Sequence, residues 1–476
     1  MKDTNKRVHS FSDDILGDLD GIALAKLIKN KELKAEEVVE ASITRAEKVN
    51  PRIHAIMTKH FEHGLANAHK HEEGPFGGVP TFFKDMTLVE GVPTYFGSAA
   101  FLNAKPAKKT DPIAKQILAQ GFVNIGTSTM PEFGFTCSTE FTHQEDTRNP
   151  WNIGHTAGGS SGGSAALVAA GVVPLAHSAD GGGSTRIPAS CCGLVGLKPS
   201  RGRILKSSML QKQLVDIAID GVITRSVRDT AFFYSEAEKY YKNSKLKPIG
   251  EIDGPTKQKL RIGFTSDSVS GLTADATTTA ELHRVAKLLE DLGHEVEEVK
   301  LPISDQFLAD FTNYWALPAF YCKTFGKQLF GKAYDKSKLT KLTNDLAKYH
   351  AKNILKTPSF VYRLRKSYRD YKKIFSSLNL DIVLTPTVAA APPEIGYMAG
   401  DLEYDEVFPR MIEWACFTPY SNSSGGPSLS LPLGHDKVTD LPLGMLFWAN
   451  HGEERLLLEL AYQLEEASPW KKITEA

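Results

Sequence analysis

Two runs rich in glycine and serine, Gly158 to Ser164 and Asp180 to Arg186, bracket an apolar stretch from Ala165 to Ala176 built mostly from alanine, valine and leucine. Such a stretch demands burial, and the flanking glycines let the backbone turn sharply and come close to whatever lies opposite. Glycine loops of this kind present N–H groups with no side chain in the way, which is how an anion or a developing oxyanion is cradled. The apolar stretch contains Gly171 and Pro174. It falls well short of the ~20 residues needed to cross a bilayer, so no membrane span is expected.

The neighbouring segments set the fold class. Ile22, Leu24, Leu27, Ile28, Val38, Val39, Ile43 and Ala46 recur near helical spacing, which predicts two amphipathic helices from Asp20 to about Lys48, stopped by Asn50-Pro51. Ile53 to Met57 reads as a strand, and Phe76 to Phe101 as loop-rich sequence between short strands. A helix at Ile113 to Gln120 and a strand at Phe122 to Gly126 begin an alternation that continues with Leu167 to Ala170 and Val172 to Ala176. A helix at Ala276 to Leu292, strands at Glu295 to Val299 and Asp381 to Pro386, and a closing helix at Glu453 to Glu466 complete an α/β pattern. Lys336 to Lys373 carries 12 Lys and Arg against two Asp. It reads as the solvated side of helices packing through Leu339, Leu342, Leu346, Ile354 and Leu364 rather than as an RNA-binding face.

Across 476 residues, 56 basic side chains balance 56 acidic ones, so no net field draws in nucleic acid or an anionic membrane. A chain this long buries a core without covalent staples. Cys137, Cys191, Cys192, Cys322 and Cys416 are odd in number and lack C-x-x-C spacing, which argues against a disulfide framework or a zinc site. Lys2, Lys6, Arg7, Asp13, Asp14 and Asp18 leave no apolar core for a secretory signal, so a cytoplasmic location is expected.

Each chemical motif is weak alone. Gly163 is followed by Ser164 and Ala165 where a phosphate loop needs lysine. Gly158, Ser160 and Gly162 satisfy the nucleophile-elbow pattern, but His177 is too close in sequence for that layout, and His435 and His451 stand without a supporting motif. The histidines show no metal-binding spacing, and no metal or cofactor is expected. Upstream, Gly78-Val79-Pro80 leads through an apolar run to Lys84-Asp85. Burial of a lysine penalises its ammonium form and moves its pKa toward working pH, where the neutral amine can take a proton from a serine.

In order and spacing, GVPTFFKD at 78–85, TAGGSSGGSAALVAAG at 156–171, DGGGSTRIPASCCGLVGLKPSRGR at 180–203 and FTPYSNSSGGPSLSLPLG at 417–434 resemble the amidase signature family over most of the chain. The resemblance implies a single α/β domain spanning 1–476, with a mixed, twisted central sheet covered by helices on both faces. It divides into a helical region at about 1–70, a signature core at about 71–235, and a second half with a helical segment at about 305–378, suited to a lid, and a C-terminal core at 379–476. It also implies a catalytic triad in which Ser184 is the nucleophile, Ser160, after a cis peptide bond from Gly159, the bridging serine, and Lys84 the base. The N–H groups of Gly181, Gly182, Gly183 and Ser184 are expected to form an oxyanion hole, with Ser161, Asp180 and Arg186 bracing the loops. Gly181 and Thr185 depart from the commonest pattern, and together with KPSRGR at 198–203 they are most similar to the branch of 6-aminohexanoate cyclic dimer hydrolase.

The expected activity is hydrolysis of a small amide, linear or cyclic, with an apolar acyl group favoured. Trp315 is expected to line the substrate channel; Cys322, beside Trp315, Phe320 and Tyr321, is a candidate for the same lining, with packing as a buried thiol the favoured reading. The chain is expected to act as a monomer or homodimer, without nucleic acid. Two alternatives stay open: the glutamine-hydrolysing A subunit of a tRNA-dependent amidotransferase, and a non-catalytic scaffold of the same fold.

Overall fold

A computed structural model describes residues 6–269 and 271–475; Lys2, weighed above against a secretory signal, lies outside them. The short apolar runs become strands buried on both faces, as a sheet covered by helices on each side requires. Among the described residues an eight-stranded sheet runs in the order Glu295–Glu298, Arg261–Phe264, Ile382–Pro386, Leu441–Ala449, Ser428–Asp436, Val195–Lys198, Ile219–Thr224, Leu175–Asp180. The first three strands are mutually parallel and every later pairing is antiparallel, so the sheet is mixed. Glu295–Glu298 is the charged, largely exposed edge, a composition that discourages further strand pairing.

At the opposite edge a three-stranded sheet, Ile56–Lys59, Val123–Ser128, Pro80–Lys84, adjoins Leu175–Asp180. Thr81 Oγ1 donates to Leu175 O (3.1 Å), and the Lys84 N–H donates to His177 Nδ1 (3.2 Å). The apolar stretch resolves into the end of the helix Gly162–Ala169, a turn at Gly171 with φ +80°, and the start of the strand Leu175–Asp180. That helix is buried throughout, and its small residues let it sit close against the strands. Ser164 Oγ donates to His177 O (2.7 Å) and lies 2.7 Å from Ser128 Oγ, pinning the helix to both sheets.

Three expectations need correction. The second N-terminal helix, Ala35–Ile53, continues through Pro51 and takes in Ile53, so the strand expected at Ile53 to Met57 forms instead at Ile56–Lys59. Proline fits helical φ and obstructs only the preceding turn. The helix instead ends where His54 adopts φ +47° and the Asn50 side chain accepts the N–H groups of Ala55 (2.8 Å) and Ile56 (3.0 Å). In the basic segment, the helices Lys341–Asn353 and Thr357–Ser377 bury Leu342, Leu346, Phe360, Leu364, Tyr371 and Ile374, whereas Ile354 is exposed. It falls in the short turn between the two helices rather than on either packed face. No helix among the described residues is long and apolar enough to cross a membrane.

Candidate active site

Three chain segments converge at the junction of the two sheets. Lys84 is the last residue of a wholly buried strand and is 1% exposed. Its Nζ donates to Ser160 Oγ (2.7 Å), to Ser161 Oγ (2.9 Å) and, at 3.4 Å, to Ala179 O. Burial lowers its pKa from 10.5 to about 7, a fall the negative charges of Asp180 and Asp220 partly offset. An amine held there exchanges a proton with a hydroxyl near neutral pH.

Ser160 follows a cis peptide bond from Gly159. A Cβ on Gly134 would lie 2.8 Å from Ser160 Oγ, so the absence of a side chain at Gly134 makes room for the hydroxyl. Ser161 precedes the buried helix; its Oγ donates to Ala179 O (3.3 Å) while accepting from Lys84. Its N–H donates to Ser184 O (3.2 Å), joining the two glycine loops. Ser184 lies in the loop between the strand Leu175–Asp180 and the helix Arg186–Cys192. It lines a cavity of about 670 Å³, open mouth included.

The loop is braced from beneath. Arg186 grips Asp180 with two bonds of 2.8 Å, and its remaining N–H groups reach Thr418 O, Ser421 Oγ, Ser428 Oγ and Asn422 Oδ1. Both members of the pair are buried, and the guanidinium, with help from Asn422, holds the Asp180 carboxyl well below the usual carboxylate range against the opposing effect of burial. Arg186→Met leaves that carboxylate buried and uncompensated, so it is expected to cost about 3–5 kcal/mol of stability, measured by chemical denaturation.

The oxyanion-hole expectation is altered at one position. The Gly183 N–H donates to Asp180 Oδ1 (2.7 Å), because a carboxylate beneath the loop attracts the donor above it. The N–H groups of Gly181, Gly182 and Ser184 have no partner among the described residues. Cys322 does not line the cavity, whereas Trp315, Cys137 and Cys416 do. Cys322 lies seven residues beyond Trp315 on the helix Gln306–Phe330, which carries it about 10 Å farther along the axis. There it is buried, and its carbonyl accepts from the Tyr334 hydroxyl (3.0 Å).

Sequence reading missed the pair behind the lysine. The Lys84 N–H can only donate, so His177 Nδ1 accepts and the imidazole proton resides on Nε2, which faces Asp220 Oδ1 at 3.1 Å. Asp220 Oδ2 accepts from the Ser207 N–H (2.7 Å). Because the Asp220 charge favours the ammonium form of Lys84, Asp220→Asn is expected to move the acidic limb of kcat/KM to lower pH, as measured in a pH–rate profile. Nothing in the local pattern around His177 marks it; its pairing with Asp220 arises only when two distant strands come together. Among the described residues no group of three or more His, Cys, Asp or Glu side chains is placed to hold a metal ion.

A buried lysine bonded to two serines, with a third serine in the neighbouring glycine loop that lines a cavity, is an arrangement that can support hydrolysis by serine and lysine. Comparison with known proteins then fixes the family. The amidase family model matches residues 37–458, and the chain belongs to the amidase signature family of amide hydrolases. The chain is 44% identical over 469 residues to the "Putative amidase AmiC" of Mycobacterium leprae, covering 98% of this chain and 99% of that one. It is 31% identical over 475 residues to the 6-aminohexanoate-cyclic-dimer hydrolase of Paenarthrobacter ureafaciens, with 95% of each chain covered. A solved structure of a 6-aminohexanoate cyclic dimer hydrolase superposes with a TM-score of 0.87 at 30% identity, over 96% of this chain and 98% of that chain.

Proposed function

We propose that the chain cleaves the C–N bond of a small amide by way of an acyl ester on Ser184. The observation that carries this reading is the 2.7 Å bond between the buried Lys84 amine and Ser160. Ser184 Oγ attacks the carbonyl carbon. Its proton passes to Ser160 as the Ser160 proton passes to the neutral Lys84 amine, since a hydroxyl accepts and donates at once. The carbonyl electron pair moves onto oxygen, where the N–H groups of Gly181, Gly182 and Ser184 stabilise it; in other enzymes one such donor is worth about 2.7–4 kcal/mol. The proton then returns through Ser160 to the amide nitrogen and the C–N bond breaks; from a linear amide ammonia or an amine leaves, and from a cyclic amide the amine stays as the far end of the opened acyl chain. Water attacks the ester along the same proton path and frees the acid and Ser184.

Linear and cyclic aliphatic amides are the proposed substrates, in line with the similarity to the cyclic-dimer hydrolase. The purified chain, supplied with simple amides and hydroxylamine, is expected to release ammonia or amine without added glutamine or a second protein and to form the hydroxamate. Hydrolysis without hydroxamate contradicts the acyl ester. A requirement for both glutamine and another chain supports the amidotransferase reading instead.

A further inference from the structure

We propose that the cavity opening on Ser184 selects amides whose acyl group is uncharged and apolar, alkyl or aryl. The inference rests on the acyl-Ser184 reading and adds to it a substrate class set by residues distant in sequence from the catalytic loops.

One wall comes from the helix Gln306–Phe330, where Phe307, Phe311 and Trp315 recur every four residues and so share a face. Successive ring centroids lie 5.7 Å apart, and Phe311 and Trp315 are stacked. The indole lies over the oxyanion loop: a Cβ on Gly182 would meet it at 3.4 Å, and one on Gly181 at 3.7 Å. The facing wall is Phe408, Met411 and Ile412 from the helix Tyr404–Trp414.

Among the described residues that line the cavity there is no carboxylate, ammonium, guanidinium or imidazole side chain. Its polar groups are largely engaged elsewhere. The Trp315 indole N–H donates to Phe135 O (3.2 Å), and Thr136 Oγ1 donates to Ser138 O (2.6 Å). An ammonium or carboxylate entering this space surrenders its hydration and meets no counter-charge, so desolvation opposes it. A neutral alkyl or aryl group instead gains by leaving water. Glutamine, with its charged α-amino and α-carboxylate groups, is thereby disfavoured, as is an acyl chain ending in a free ammonium. A cyclic amide carries neither charge as it binds and stays admissible; the amine freed by ring opening remains on the acyl chain, where the same wall disfavours its retention as an ammonium.

The test uses three matched fluorophosphonates whose tails stand in for the acyl chain: hexyl, 6-ammoniohexyl and 5-carboxypentyl. Second-order rates of Ser184 labelling are read by intact mass and peptide mapping on the full-length chain. The hexyl probe is expected to label at least about 100-fold faster than either charged probe. Rates within about threefold of one another overturn the selectivity while leaving the acyl-serine reading intact, because desolvation of a charge predicts far more. Absence of label on Ser184 from all three probes overturns the acyl-serine reading and this inference with it. Ile412→Asp supplies a carboxylate in the wall and is expected to raise the 6-ammoniohexyl rate about 10-fold while lowering the hexyl rate. An unchanged ratio between those two probes in the folded variant argues against the wall as the selecting element. The wild-type comparison decides the matter even if that variant does not fold.

Discussion

Lys84→Met is expected to abolish amide hydrolysis and, at the same time, to make the fold more stable at neutral pH. The two effects share one cause. Burial holds the amine pKa at about 7 against 10.5 in an exposed lysine. The unfolded chain therefore binds a proton that the native chain releases between those values, and stability rises with pH across that window. The cost of burying Lys84 is fully present below about pH 7, where it amounts to roughly 4–5 kcal/mol. It fades toward pH 10.5. Methionine has no charge to desolvate, although it forfeits the bonds to Ser160 and Ser161. The net gain is accordingly smaller than the full cost, on the order of 1–3 kcal/mol. Denaturation curves for both proteins from pH 6 to 10 are expected to show the stability difference shrinking as pH rises. A difference that is flat with pH contradicts the depressed pKa. Burial also moves Lys198 and Asp85 to about 7, so the comparison with the variant is what isolates Lys84.

Ser184→Ala is expected to lower kcat by at least about 10⁴-fold with little change in stability, since loss of a nucleophile in comparable triads costs that much or more. Ser184 Oγ has no hydrogen-bond partner among the described residues and faces the cavity, so its removal disturbs no packed network. Ser160→Ala differs in kind. Its hydroxyl is buried and bonded to Lys84, so the loss of activity comes with altered pH dependence of whatever rate remains. Steady-state kinetics paired with thermal melts separate the two: Ser184→Ala melts like the parent, and hydrolysis at more than about one hundredth of the parental kcat rules out Ser184 as nucleophile.

The groups proposed to react were legible because each lies in a local motif. GVPTFFKD places Lys84 at the end of an apolar strand, and the two glycine runs place Ser160 and Ser184 in loops. Burial of the lysine followed from the apolar residues before it. The supporting contacts were less legible because they are tertiary. Asn422, in the short helix Pro419–Ser424, donates to Asp180 and accepts from Arg186 across more than 230 residues of chain, and the local sequence does not mark that reach. His177 resembled a stray candidate for an elbow triad; the strand pairing that sets it between Lys84 and Asp220 has no local signature.

The cavity wall was partly readable. Trp315 was anticipated, but Cys322, chosen for its aromatic neighbours, lies too far along the same helix, and the thiols at the cavity are Cys137 and Cys416. A helix face can be read from spacing. How far along its axis a pocket extends depends on where the helix crosses its neighbours, which spacing does not encode. Pro51 gives the same lesson at short range: the proline suggested a stop, while the Asn50 side chain and the backbone at His54 supply the actual termination.

The most direct measurement is the pH dependence of Ser184 phosphonylation by a hexyl fluorophosphonate, followed by peptide mass mapping. Label is expected on Ser184, at a rate rising through a midpoint near pH 7, about the value at which Lys84 loses its proton, and collapsing in Lys84→Met. Label on Ser160, or labelling of Ser184 that is indifferent both to pH and to Lys84, contradicts a neutral lysine acting through a bridging serine.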